Sequence, residues 1–267
     1  MARRAFAKYE GLGNDFVVVG AADERELGRD EARALCDRRR GIGADGVLVI
    51  LPPRDVANAG RMRVINADGS VPEMCGNGLR CVALHVARAR GIKNGRFVFE
   101  TDAGPRACSI EDANGEGMVT VDMGVVTTEP APRIFEVEGE KLEAYIADVG
   151  NPHAVIFGDA SRARAETIGP VVEALFPRGT NVELARVEPQ LALVELVVWE
   201  RGVGITLACG TGACATVGVL CARGVLPRVA PVTVRLLGGP LEVTIDAEGR
   251  ATMRGPARHV FSGQAAS

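Results

Sequence analysis

Met62-Arg-Val-Ile-Asn-Ala-Asp-Gly-Ser70 runs on to Cys75-Gly-Asn-Gly78, and Leu196-Val-Val-Trp-Glu-Arg-Gly-Val-Gly204 runs on to Cys209-Gly-Thr-Gly212. The two stretches overlay at one constant offset without a gap. Each reads as a strand, a glycine-bearing loop, a C-G-x-G turn and an apolar helix. The helices are expected over residues 79–89, stopped by Gly91, and 213–222, stopped by Gly224. The echo extends upstream. Gly13-Asn14-Asp15-Phe16-Val17-Val18 answers to Gly150-Asn151-Pro152-His153-Ala154-Val155, and Arg40-Gly41-Ile42-Gly43 to Arg178-Gly179-Thr180-Asn181. Four landmarks recurring in the same order predict two copies of one α+β unit, each with its own cysteine. The expected boundaries are 1–118 for the unit carrying Cys75, completed by 255–267, and 119–254 for the unit carrying Cys209, with the crossover near 118–126.

Short Val-rich runs predict strands at 16–19, 47–51, 61–65 and 97–101 in the first unit. The second unit has them at 154–157, 182–187, 193–199 and 232–236. Amphipathic helices are expected over 31–38 and 168–175.

Of the 267 residues, 47% are hydrophobic and 24% charged, ordinary for a soluble globular protein. Net charge is −3 and aromatics are only 4%, which disfavours nucleic acid and anionic membrane surfaces as partners. No apolar run approaches the ~18 residues that span a bilayer. Arg3-Arg4 is followed by Lys8-Tyr9-Glu10 rather than by the apolar segment of a secretion signal. Seven cysteines, an odd number, fit a reducing compartment and hence a cytoplasmic location. Their spacings lack the short pairs of a zinc site, so no metal is expected.

The C-G-x-G turns carry the chemistry. A helix N-terminus holds about half a positive charge and unpaired N–H groups. A cysteine there is expected to have its thiolate stabilised and its pKa lowered. The following glycine lets an anionic ligand approach the backbone. A lone cysteine of this kind is more often a small buried apolar residue. Two at matched places in a duplicated chain point instead to acid–base groups on opposite faces of one carbon, the arrangement that inverts a stereocentre. No cofactor is expected: there is no Walker sequence, and Gly11-Leu-Gly13 and Gly41-Ile-Gly43 lack the third glycine of a dinucleotide fingerprint. A pyridoxal lysine would have to be Lys8, Lys93 or Lys141.

Taken together, Gly11-Leu-Gly-Asn-Asp-Phe16, Gly41-Ile-Gly-Ala-Asp45, Asn66-Ala-Asp-Gly-Ser70, Met74-Cys-Gly-Asn-Gly78, Gly150-Asn-Pro-His153, Gly179-Thr-Asn-Val-Glu183, Glu200-Arg-Gly202 and Ala208-Cys-Gly-Thr-Gly212 resemble diaminopimelate epimerase over essentially the whole chain. The resemblance implies two pseudo-symmetric α+β domains, each a curled, mostly antiparallel sheet around a central helix, with the active site between them. It implies interconversion of LL- and meso-2,6-diaminoheptanedioate, on the route to lysine and peptidoglycan, by a homodimer. Cys75 and Cys209 match the catalytic cysteines, which His153 and Glu200 would tune. Gly76, Asn77, Gly210 and Thr211 match the cradle for the reacting carboxylate. Asn14, Asn66, Asn151, Asn181, Glu200 and Arg201 match the substrate-binding set. Two departures stand out: Gly46 replaces a substrate-contacting glutamine of some members, and Phe261 replaces a tyrosine at the dimer interface of several.

Blander roles exist for single residues. Each asparagine could cap a turn, His153 could be structural, and Arg201 could be a solvated surface arginine. Glu200 could lie on the surface, although it takes the place of Asn66 in the repeat. Two other functions compete: a racemase of another amino acid on the same scaffold, which need not keep Arg201 and the asparagines, and a non-catalytic thiol protein that binds metal or senses oxidation.

Overall fold

A computed structural model describes residues 3–113, 116–137 and 139–266. The chain divides into unit 1, residues 1–121 and 255–267, and unit 2, residues 122–254.

Unit 1 contains β1 (Arg3–Gly11), β2 (Asn14–Gly20), α1 (Arg29–Cys36), β3 (Gly46–Leu51), β4 (Gly60–Asn66), α2 (Gly76–Ala89), β5 (Asn94–Thr101), β6 (Gly104–Ala113) and most of β7 (Glu116–Val125). Unit 2 continues with β8 (Thr127–Thr128), β9 (Arg133–Val137), β10 (Glu140–Asp148), β11 (Pro152–Phe157), α3 (Arg162–Ala174), β12 (Asn181–Glu188), β13 (Leu193–Glu200), β14 (Gly204–Ile205), α4 (Gly210–Ala222), β15 (Val232–Leu236) and β16 (Gly239–Ile245). The last strand, β17 (Arg250–Ala266), begins in unit 2 and ends in unit 1.

The repeat is visible in the strand pairing. In unit 1, β1–β2 is antiparallel, β2–β3 parallel, β3–β4 antiparallel and β4–β5 parallel. In unit 2, β10–β11 is antiparallel, β11–β12 parallel, β12–β13 antiparallel and β13–β15 parallel. Most other ladders are hairpins, so each unit is mainly antiparallel. The registers equate specific residues: Phe16 faces Gly46 in the first parallel pair, and His153 faces Asn181 in the second. Phe16 thus stands where His153 stands, and two residues along the neighbouring strand Leu48 stands where Glu183 stands.

Each unit is built on one central helix. In unit 1, α2 lies on β1, β2 and β6; in unit 2, α4 lies on β10, β11, β12 and β16. Apolar residues run all round α4, and Ala213, Cys214, Ala215, Val217, Val219, Leu220 and Cys221 are all buried, as a helix enclosed by its own sheet must be. The peripheral helices are one-sided. Ala32, Leu35 and Cys36 of α1 pack with Val17, Val19, Val47 and Val49, while Ala165, Ile168 and Val172 of α3 pack with Ala154, Val182 and Leu184.

The expected helix starts are corrected. Both central helices begin at the glycine after the cysteine, three residues earlier than the sequence pattern predicts. The C-G-x-G turn is itself the first helical turn, and the weak helix propensity of its two glycines hides this in the sequence. Cys75 and Cys209 are the N-caps, both extended, with their sulfurs accepting the Gly78 and Gly212 N–H at 3.3 and 3.4 Å.

Close packing explains one glycine inside α4. A Cβ at Gly218 would stand 2.5 Å from Val126 Cγ1, in the segment that enters unit 2. Gly218→Ala should therefore destabilise the protein by roughly 1–3 kcal/mol through overpacking, outweighing the gain of about 1 kcal/mol in helix propensity. Urea denaturation measures this; a variant as stable as the parent would mean that Val126 yields freely.

Candidate active site

In unit 1 the cysteine cap is held by a polar chain. The Asn77 amide donates to Asn14 Oδ1 at 3.3 Å, and Asn14 Nδ2 donates to Asp45 Oδ2 at 2.7 Å. At the other end Arg80, fully buried in α2, donates to Asn77 Oδ1 at 2.9 Å and to the Pro256 carbonyl at 3.1 Å. Donor direction thus runs from a buried cation to Asp45. Arg38 fixes that end by bridging Asp45 and Asp15, and Lys8 pairs with Asp15 at 2.5 Å. Burial works to raise the Asp15 carboxyl, but Arg38 and Lys8 overcome it and bring the group down to about 2. Asp45, Asp15, Arg38, Lys8 and Arg80 are absent from the sequence-predicted set; the motifs contain Asp15 and Asp45, but only the fold joins them to the cations.

Asn66 sits apart from this chain. Its amide donates to Ser70 Oγ at 2.9 Å and its N–H to the Ser70 carbonyl, closing the turn after β4. It lies across from Gly46, so the neighbouring position carries no side chain. Cys75 is partly exposed.

Unit 2 builds the matching cap from different chemistry. His153 and Glu183 are both fully buried, with His153 Nδ1 and Glu183 Oε1 2.7 Å apart. Where Leu48 fills the space under Gly78, Glu183 fills the space under Gly212: an added Cβ would meet Leu48 Cδ2 at 2.7 Å and Glu183 Oε1 at 2.8 Å. The carboxylate therefore lies beneath the positive end of α4, which stabilises it. Its second oxygen has no hydrogen-bond partner among the described residues. His153 Nε2 lies 2.9 Å from Asn151 Oδ1, the Asn151 amide donates to Thr211 Oγ1 at 3.4 Å, and Thr211 Oγ1 lies 3.5 Å from Cys209 Sγ. The N–H groups of Gly210 and Thr211 occupy the first turn, where the helix offers no acceptor.

Glu200, at the end of β13, accepts a hydrogen bond from Thr206 Oγ1 at 2.5 Å. Burial raises its carboxyl above the ordinary value, against the pull of Thr206 and His153. Asn181 takes the turn-capping role: its amide donates to the Pro152 carbonyl and its Oδ1 accepts the Arg201 N–H, both at 3.0 Å. Arg201 is exposed. Its stem crosses Gly179, where a Cβ would stand 2.9 Å from Arg201 Cδ, and its Nη1 reaches the Arg178 carbonyl at 3.3 Å. Glu173 of α3 secures this turn through the Trp199 indole at 2.7 Å and the Gly202 N–H at 3.0 Å.

The expected low pKa does not hold for Cys209. Burial, then Glu200, then Glu183 push its thiol well above the ordinary cysteine value, against the pull of Thr211 and the Gly212 N–H. One helix terminus supplies a fraction of a charge; desolvation and two carboxylates exceed it. The thiol form of Cys209 is favoured. Glu183 was legible as part of Gly179-Thr-Asn-Val-Glu183, but its position under the cap emerges only from the parallel register. Among the described residues, no group of three or more His, Cys, Asp or Glu side chains could hold a metal ion.

The family model described as diaminopimelate epimerase matches residues 6–129 and 145–260. Diaminopimelate epimerase of Synechococcus elongatus is 40% identical, with 97% of this chain and 96% of that protein covered. Diaminopimelate epimerase of Desulfitobacterium hafniense is 41% identical, with 96% of each covered. Among solved structures, a hydroxyproline epimerase from Agrobacterium vitis aligns with a TM-score of 0.79 at 16% identity, covering 98% of this chain and 92% of that one. A methylitaconate-delta-isomerase aligns with a TM-score of 0.69 at 11% identity, covering 99% and 95%. These structures share the fold.

The raised Glu200 carboxyl has a consequence for stability. The folded protein binds this proton more tightly than the unfolded chain does. The group's contribution is therefore present below the unfolded value of about 4.3 and is lost as pH rises through the folded value. Glu200→Gln should exceed the parent in stability at about pH 7 and lose that advantage near pH 4. Paired urea denaturations decide this; an equal advantage at both pH values would remove Glu200 from buried ground.

Proposed function

We propose that this chain, which belongs to the diaminopimelate epimerase family, interconverts LL- and meso-2,6-diaminoheptanedioate with Cys75 and Cys209 as its two acid–base groups. The enzyme is an isomerase acting on a small amino-acid substrate of lysine and peptidoglycan precursor synthesis. The single observation that carries the mechanism is the duplicated cap: two cysteines, each at the N-terminus of a buried helix, each preceding a glycine.

The chemistry follows from proton bookkeeping. One cysteine, as thiolate, removes the α-proton; the other, as thiol, delivers a proton to the opposite face. Because Cys209 rests as a thiol, it is the donor in the direction in which Cys75 abstracts. The carbanion is the costly species. Gly76, Asn77, Gly210 and Thr211 serve as the cradle for the reacting carboxylate, where first-turn N–H groups meet charge spreading onto its oxygens. Arg201 takes the distal carboxylate through its planar fork, which matches a carboxylate bidentately. Asn181 enters this reading by fixing the Arg201 backbone, and Asn14 by its tie to the Asn77 turn; Asn66 and Asn151 complete the polar set. Glu200 accepts from the Cys209 thiol, a suitable place for that sulfur to exchange its proton.

A cytoplasmic location belongs to the same reading, supported by seven free cysteines. Among the described residues, no helix is long and apolar enough to cross a membrane. A homodimer does too, supported by the exposed Val260 and Phe261 on β17, with Phe6 edge-on to Phe261.

Cys75→Ala and Cys209→Ala should each remain folded and lose at least the roughly 10²–10⁴-fold that a positioned acid or base contributes. A coupled epimerase assay on LL-diaminopimelate measures it, and retention of about a tenth of the parent turnover by either variant would contradict a two-thiol mechanism.

Isotope labelling tests the same mechanism without mutation. A thiol holds one proton, so the proton removed stays on the abstracting sulfur, and the one delivered comes from a sulfur already equilibrated with solvent. In D2O, early product from LL-diaminopimelate should carry deuterium at the inverted centre while recovered substrate carries almost none. Deuterium entering both at the same early rate would indicate a single base and sink the assignment.

A further inference from the structure

The two cysteine caps differ in where their hydrogen-bond chains point. In unit 1 the chain runs Arg80, Asn77, Asn14, Asp45, beginning at a buried cation and ending on a carboxylate. In unit 2 the matched asparagine is turned the other way: Asn151 offers its oxygen to His153 and its amide to Thr211. Once the Thr211 oxygen accepts from Asn151, its hydrogen is available for the neighbouring sulfur of Cys209. The chain in unit 2 therefore ends on a sulfur.

The other end of that chain is anchored by Glu183. Both ring nitrogens of His153 face oxygens, a carboxylate on one side and an amide carbonyl on the other. Glu183 Oε2 has no hydrogen-bond partner among the described residues, and the contact of Oε1 with His153 Nδ1 holds the ring in place.

We propose that Glu183 and the Thr211 hydroxyl are positioning residues for Cys209. Glu183 holds the His153 ring through Nδ1, and the ring's Nε2 orients Asn151 and, through it, the Thr211 O–H as a donor to the cysteine sulfur. This deepens the two-thiol reading and rests on it. The groups facing the sulfur are Glu200 on β13, Glu183 on β12, and Thr211 and Gly212 of α4. The two carboxylates and burial disfavour a thiolate, and the Thr211 hydroxyl with the Gly212 N–H opposes them. The donor chain makes the anion reachable within the catalytic cycle.

The test uses the protein without substrate, labelled with 13Cβ-cysteine and titrated by NMR, so that it stands apart from the epimerase assay. Thr211→Val should raise the Cys209 midpoint by roughly one pH unit, about the weight of a hydrogen bond to a charged group, and leave Cys75 where it was. Thr211→Ser should restore the Cys209 midpoint. In a Glu183→Gln background the step caused by Thr211→Val should shrink to less than about half, because the hydroxyl is no longer oriented. An unchanged Cys209 midpoint in Thr211→Val, or a step of full size in the Glu183→Gln background, would overturn the proposal even if the deuterium experiment succeeds. Should Glu183→Gln fail to fold, the Thr211→Val and Thr211→Ser pair decides it alone.

Discussion

A cysteine that caps a helix has to stay outside it, in extended backbone, with its sulfur turned back onto the N–H three residues ahead. That requirement organises both units. The helix behind the cap must be buried and straight, so α2 and α4 are sheathed by strands of their own unit. The third residue after the cap must be a glycine, because the space next to it is already taken, by Leu48 in unit 1 and by Glu183 in unit 2. Strands β3 and β12, which carry these two residues, are in turn fixed in register by their parallel neighbours β2 and β11. Cap, glycine, filler and register form one constraint; changing any member displaces the sulfur.

The filler is where the duplicated units part company. Leu48 beside Phe16 is ordinary apolar packing and asks nothing of its surroundings. Glu183 beside His153 is a buried hydrogen-bonded pair, and removing one partner leaves the other's polar atom unsatisfied, at a cost of about 1–3 kcal/mol. Unit 1 fills the same two positions with Leu48 and Phe16. The frame therefore does not require the polar pair, and its justification lies at the sulfur above it.

Much of this was written in the sequence, and the reasons for the rest are physical. The repeat itself is legible, because a gapless match of strand, loop and cap needs no knowledge of packing. Val-rich strands such as 232–236 are legible to the residue, since Val232, Val234 and Leu236 are buried in alternation with Thr233 and Arg235. β10, with Lys141, Glu143 and Asp148, went unseen: half of it faces solvent, and its polar residues mask the buried Leu142, Ala144 and Ala147. The helix starts are hidden because glycines at a cap look like loop. In the site, the cysteines and asparagines were legible as motifs. Asp45, Arg38 and Arg80 were not, since their part depends on contacts between segments distant in sequence. The raised pKa of Cys209 is hidden for the same reason: a helix terminus can be read from a motif, whereas a carboxylate delivered by a parallel strand cannot.

The asymmetry between the caps fits the task of a two-thiol enzyme better than symmetry would. Two identical sulfurs would rest in the same protonation state, and inversion needs them in opposite states. A chain made of two copies must break its own likeness at the sulfurs without disturbing the frame that holds them. Here the frame is kept, with the same strand order, the same cap geometry and the same glycines. The differences that reach the Cys209 sulfur are side chains beneath and beside one helix: Glu183 for Leu48, His153 for Phe16, Thr211 for Asn77 and Glu200 for Asn66. Two of the four add carboxylates that disfavour the Cys209 thiolate, while the other two belong to the proposed donor chain that would accept its negative charge once the proton has left. In the proposed mechanism a sulfur poised in this way would give up a proton in one direction of the reaction and take one in the other, as interconversion of two stereoisomers near equilibrium requires.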